Sequence, residues 1–156
     1  MAETPYDVAY EAAVNALTHQ SAALDELRAR TGVLLAAASV STAFLGSEAL
    51  KSSNASAFDW LAVVCFFGVG TAAVCILWPR EGWKFVVDPA ILVQSYIEIE
   101  DPPGLDKIKR DIALHLGNHY KANQKRLNSL FWWFQLGCVL LVVEIVSWLI
   151  ALTGAA

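Results

Sequence analysis

Basic residues are too few in this chain, and too far outnumbered by acidic ones, to point to a nucleic-acid-binding face. Lys and Arg number 11 against 15 Asp and Glu, for a formal net charge of -4. Phosphate recognition needs a concentrated basic surface, so nucleic acid is not expected as a partner. Cysteine is scarce as well. Cys65, Cys75 and Cys138 all fall in apolar runs and read as small buried hydrophobes, not as a disulfide framework or a metal site. There is no nucleophile elbow, phosphate-cradling glycine loop, zinc spacing or usefully paired carboxylate. Catalytic activity, a cofactor and a bound metal are therefore not expected. The N-terminal stretch lacks the basic and apolar regions of a cleavable signal, and Ala2 stands where myristoylation needs Gly.

Proline is missing from Leu105 to Leu152, and charge is nearly missing from the second half of that stretch. Its first half carries Lys107, Lys109, Arg110, Lys121, Lys125 and Arg126. From Leu127 onward the only charge is Glu144. The simplest object that fits is one long helix, polar first and apolar after, with Gly117 the one weak point before the membrane. A run of more than about 18 apolar residues is long enough to cross a hydrocarbon core of roughly 30 Å. With 56% hydrophobic residues and a mean hydropathy of +0.47, the chain is expected to be an all-α integral membrane protein in a single domain over 1–156.

Three spans are expected. Thr4-Pro5-Tyr6-Asp7 has the chemistry of a helix start, and a cytoplasmic helix over 4–30 should continue into a first span over 31–47. Tyr10, Val14, Leu17, Leu24 and Leu27 mark its apolar face. They are expected to pack on Leu105, Ile108, Ile112, Leu116 and Tyr120 of the long helix. The first span is rich in small residues. Gly32 with Ala36, and Ser39 with Ala43, are spaced for close helix contact, within or between subunits. A polar turn over 46–59 contains Asn54-Ala55-Ser56, a glycosylation pattern of low specificity. A second span over 60–78 is thinned by Gly68 and Gly70. A segment over 79–126 follows, with a short helix over 88–97 opened by Asp88-Pro89, a stop at Pro102-Pro103-Gly104, and the long helix from Leu105. The last span covers 127–152.

Lys and Arg concentrate between Arg80 and Arg126, while the 46–59 loop holds only Lys51. The positive-inside rule puts the N-terminus and the 79–126 segment in the cytoplasm and the C-terminus outside. Trp78, Trp83, Trp132 and Trp133 would then mark the inner interface, and Trp60 and Trp148 the outer one.

Glu144 is the exceptional residue. A charged carboxylate at the centre of a span costs about 2.5–3.5 kcal/mol on insertion scales. It must reach headgroup water, or be protonated and bonded to a Ser or Thr of the first span, or line a cation-favouring pore in an oligomer. It shares a helix face with Gly137, Leu141 and Trp148, and Gly137 suits close approach by another helix. Gln135, Ser39 and Thr42 are the other intramembrane polar candidates; the hydroxyls should mostly bond back to their own helix. His19 reads as solvated. His115 and His119 share a face but lack a third ligand, so a hydrated face is expected there.

The order is a helix feeding a small-residue span (Leu24-Asp-Glu-Leu-Arg-Ala-Arg-Thr-Gly-Val-Leu-Leu-Ala-Ala-Ala-Ser-Val40), a second span, and Tyr120-Lys-Ala-Asn-Gln-Lys-Arg-Leu127 leading into a last span. This organisation resembles the small transmembrane effectors of bacterial anti-phage signalling systems, of the Pycsar-type and SLATT-type families. The resemblance covers most of the chain, is architectural, and transfers no site residue. It implies a homo-oligomer in the bacterial inner membrane that forms a pore or perturbs the bilayer when a nucleotide signal or partner protein appears. No separate sensor domain is visible, so sensing would use the cytoplasmic helices or another protein. The leading expectation is such an effector or a small channel. The alternative is a non-conducting scaffold or accessory subunit that binds a partner through its cytoplasmic helices.

Overall fold

A computed structural model describes residues 4–49, 51, 56–79, 82–86, 89–98 and 102–153. Helix α1 spans Pro5–Ser41 and runs through a π-turn, Thr42–Gly46, into the short α2, Ser47–Ala49. Helix α3 spans Ala57–Leu77, α4 spans Pro89–Leu92 and leads into a second π-turn at Val93–Ile97, and α5 spans Leu105–Thr153. There is no strand among the described residues, so the fold is all-α. Three helical stretches are long and apolar enough to cross a bilayer: Pro5–Ala49, Ala57–Leu77 and Leu105–Thr153.

Element ends follow local chemistry. Thr4 N–H donates to Asp7 Oδ2 at 2.9 Å, half of a capping box. At α3 the box is complete: Asp59 N–H donates to Ser56 Oγ, and Ser56 N–H to Asp59 Oδ2. That cap starts the helix at Ala57, ahead of the Trp60 expected from hydropathy alone. The first helical run likewise extends past the expected end at 47, to Ala49. Asn54 and Asp88 lie outside the described residues. Gly117 does not interrupt α5.

The chain divides into two compact units, and α1 and α5 contribute to both. The first comprises 1–25 and 80–127. Here α1 and α5 run parallel, offset by 102 positions where Lys109 bonds Asp7. Gln20 Nε2 donates to the Tyr120 carbonyl at 3.1 Å and to Gln124 Oε1 at 2.8 Å. The Gly82–Val86 segment is tied to α5 by side chains that satisfy its carbonyls. Asn123 Nδ2 donates to Lys84 O at 3.0 Å, and Arg126 Nη1 to Gly82 O at 2.6 Å. Gly82 has φ of 89°, a left-handed conformation that glycine adopts without cost. Leu17, Leu24 and Leu116 are buried as expected of an apolar face. Leu105 is not part of that packing, being 63% exposed at the first turn of α5, and Val14 and Tyr120 are also exposed.

The second unit comprises 26–79 and 128–156. Leu34, Ala38 and Val69 form one core cluster with Phe134, Cys138 and Leu141 against it; Ala49, Ala62 and Trp148 form another. The order of these pairings makes α1 and α5 parallel and α3 antiparallel to both. Buried positions on α1 recur at alternating three- and four-residue steps through Leu27, Thr31, Leu34 and Ala38, the spacing of two helices packed at a shallow angle. Trp148 is fully buried, so it is a core residue and not an outer-interface anchor. Trp60, Trp78 and Trp132 are exposed.

The first unit has a pH-sensitive point. Burial, then the neighbouring charges of His115 and Lys84, lower the pKa of His119 below 6.5. The unfolded chain therefore takes up this proton before the folded one does. The contribution is fully present above pH 6.5 and is lost as pH falls from there toward the folded value. His119→Gln should flatten the fall of the unfolding midpoint on mild acidification, measured in detergent. An unchanged pH profile would remove His119 as its source.

Candidate functional site

The three apolar helices of the second unit converge on Glu144. Its side chain is 0% exposed. Thr42 Oγ1, from the π-turn of the first span, donates to Glu144 Oε1 at 2.6 Å. Glu144 Oε2 is buried with no bonded partner, and so is Trp148 Nε1, one turn further on the same helix. No Lys or Arg forms an ion pair with Glu144 among the described residues. Cys65 of α3 is buried in the same unit, six residues after the buried Asp59.

Thr42 opens the π-turn of the first span and Gly46 closes it. A Cβ built at Gly137 would lie 2.9 Å from a Leu34 methyl carbon, so Leu34 meets α5 at that level. The next pairs are Thr42 with Glu144 and Gly46 with the Trp148 ring, four residues apart on both helices. Leu45, inside the turn, packs on the cluster that contains Trp148. A Cβ on Gly46 would stand 3.1 Å from Trp148 Cζ2, so the missing side chain admits the ring.

The other residues singled out by sequence divide clearly. Gly137 is buried against Leu34 and Ala72, in the close approach expected of it. Gly68 does the same against Leu140, at 2.8 Å for a built Cβ, whereas Gly70 has open space around it. Ser39 is exposed and bonds back to Leu35 O at 2.9 Å. Gln135 is exposed on α5 and does not join Glu144. Gly32, Ala36 and Ala43 are exposed too, and a Cβ at Gly32 would meet nothing within 4 Å. The small-residue face of α1 is thus not used in packing within the chain. His115 and His119 touch edge to face, with ring centroids 4.3 Å apart. No group of three metal-ligating side chains occurs among the described residues.

Sequence reading missed the π-turn, the inward position of Trp148 and the burial of Asp59. Two grooves are also present among the described residues. One, of about 340 Å³, lies on the second unit beside Arg30, Val33, Leu34, Ala37, Phe134 and Leu141. The other, of about 320 Å³, lies on the first unit and includes Tyr10, Val14, Phe85, Leu92, Ile112 and Leu116.

Comparison with known protein families, characterised proteins and solved structures gives no match to this chain.

The Thr42 bond should matter to stability. Thr42→Val keeps the shape and removes the donor, leaving a buried carboxyl with no bonded partner, at a cost of about 1–3 kcal/mol. Thr42→Ser should retain most of the wild-type stability. Equal unfolding midpoints for Val and wild type in detergent would show that the bond contributes nothing.

Proposed function

We propose that this protein is an oligomeric effector or small channel of the bacterial inner membrane, which forms a pore or perturbs the bilayer. The observation that carries this reading is the unused face of α1. Gly32, Ala36, Ser39 and Ala43 lie outward, and open space surrounds Gly32. In lipid there is little hydrophobic drive between helices, so association depends on close backbone approach, which small residues permit. A face of this kind that the chain leaves free suits contact with a second copy. The architectural resemblance to anti-phage effectors supports the same reading, with the N-terminus and the 79–126 segment in the cytoplasm and the C-terminus outside. A nucleotide signal or a partner protein would act on the cytoplasmic helices.

In the packing described, Glu144 is enclosed by its own chain. Conduction would use other faces, or would require the α1–α5 contact to part. The apolar groove beside Tyr10, Ile112 and Leu116 favours the second reading, a non-conducting scaffold that holds a partner helix there.

Two experiments separate these readings. The wild-type protein should run as an oligomer in mild detergent and release ions from liposomes. Ala36→Leu adds bulk where backbones approach, and should reduce both the oligomer and the flux by several-fold. An oligomer with no flux supports the scaffold, and a monomer ends the effector proposal. For topology, single cysteines replacing Lys51 and Gly104 in a background without Cys65, Cys75 and Cys138 should label from opposite sides of the membrane. Labelling of both from outside intact cells would contradict three spans.

A further inference from the structure

We propose that Glu144, with Thr42 and Trp148, is a proton-binding site within the apolar helices, and that loss of its proton frees the π-turn of α1 from α5. The geometry carries this. The carboxyl group is wholly enclosed, accepts one hydrogen bond from Thr42, and has only the indole N–H of Trp148 beside its second oxygen. An ionised carboxylate removed from water needs a cation or several donors; a neutral carboxyl needs far less. No cation is within reach in sequence terms either. Thr31 to Ser47 carries no charge, α3 carries only Asp59, and α5 beyond Leu127 carries only Glu144. The neutral acid is therefore the form that fits the packing.

The proton is linked to structure through the π-turn. Thr42 opens the turn and bonds Glu144, and Gly46 closes it and packs against the Trp148 ring. A charged Glu144 would draw in water or move toward it, and the Thr42 contact with the turn would part first. The titratable groups on the other elements are few. The buried face of α3 carries Cys65 and Asp59, the apolar part of α1 carries none, and Trp148 and Ser147 on α5 do not titrate. Neither Cys65 nor Asp59 supplies positive charge to hold an ionised Glu144. The inference rests on this packing alone and is independent of whether the protein conducts.

Infrared difference spectroscopy of the protein in lipid vesicles tests it directly. Wild type should show a protonated-carboxyl C=O band at neutral pH that disappears on alkalinisation. Glu144→Gln should lack the band, and Glu144→Asp should shift it. In parallel, hydrogen exchange at Thr42–Gly46, corrected for intrinsic rates, should accelerate at alkaline pH in wild type and stay slow in Glu144→Gln. A spectrum with no band removed by Glu144→Gln and none moved by Glu144→Asp overturns the protonation. Equal alkaline opening in wild type and Glu144→Gln overturns the link to the turn. Loss of the band on adding sodium chloride at fixed pH would make the site one for an alkali cation and would overturn the proton as its ligand.

Discussion

A carboxyl group enclosed by apolar helices must have its polar atoms answered from inside the protein, because no water is there to do it. In the second unit that demand falls on Glu144, and the packing around it is arranged accordingly. Thr42 supplies the donor at 2.6 Å. Gly46 leaves the space that Trp148 fills, and the large ring closes the pocket over the acid's own helix. Both residues belong to the π-turn, one at each end of it. Such turns are uncommon, since they weaken helix geometry locally, and they occur often where a side chain must be aimed.

Glycine and alanine serve two ends in the same helices. Gly137 and Gly68 let Leu34 and Leu140 come within distances that a side chain would forbid. Gly32, Ala36 and Ala43 are exposed, and a Cβ at Gly32 would meet nothing within 4 Å. The first group accounts for how three helices pack. The second is left over once that packing is complete, and a second copy of the chain is the occupant proposed for it. The first unit is held differently, by polar side chains that satisfy backbone carbonyls. Asn123 and Arg126 fasten an irregular segment to α5, and Gln20 reaches the Tyr120 carbonyl. Lysine 109 holds the Asp7 carboxyl down to about 2, with help from the Thr4 backbone.

Much of the architecture was readable from residue order. Apolar run length set the three long helices, Pro102-Pro103-Gly104 preceded the start of α5 at Leu105, and Thr4 with Asp7 marked the start of α1. Boundaries set by caps were less legible. The Ser56–Asp59 box begins α3 three residues ahead of its first tryptophan, inside a stretch whose composition reads as a turn. Trp148 was misplaced for a related reason. Tryptophan near a span end usually anchors an interface, and only the neighbouring Gly46 shows that this one points inward.

The sequence by itself determined that the protein is helical, that three stretches are apolar enough to span a bilayer, and that Glu144 is costly where it stands. These follow from local composition, because helix length and transfer free energy sum over neighbours in the chain. Only the tertiary structure decided which oxygen answers that carboxyl, which small residues are consumed in packing, and which are left free. Those outcomes depend on the relative phase of two helices a hundred residues apart in sequence, which sets the π-turn at Thr42–Gly46 against Glu144 and Trp148.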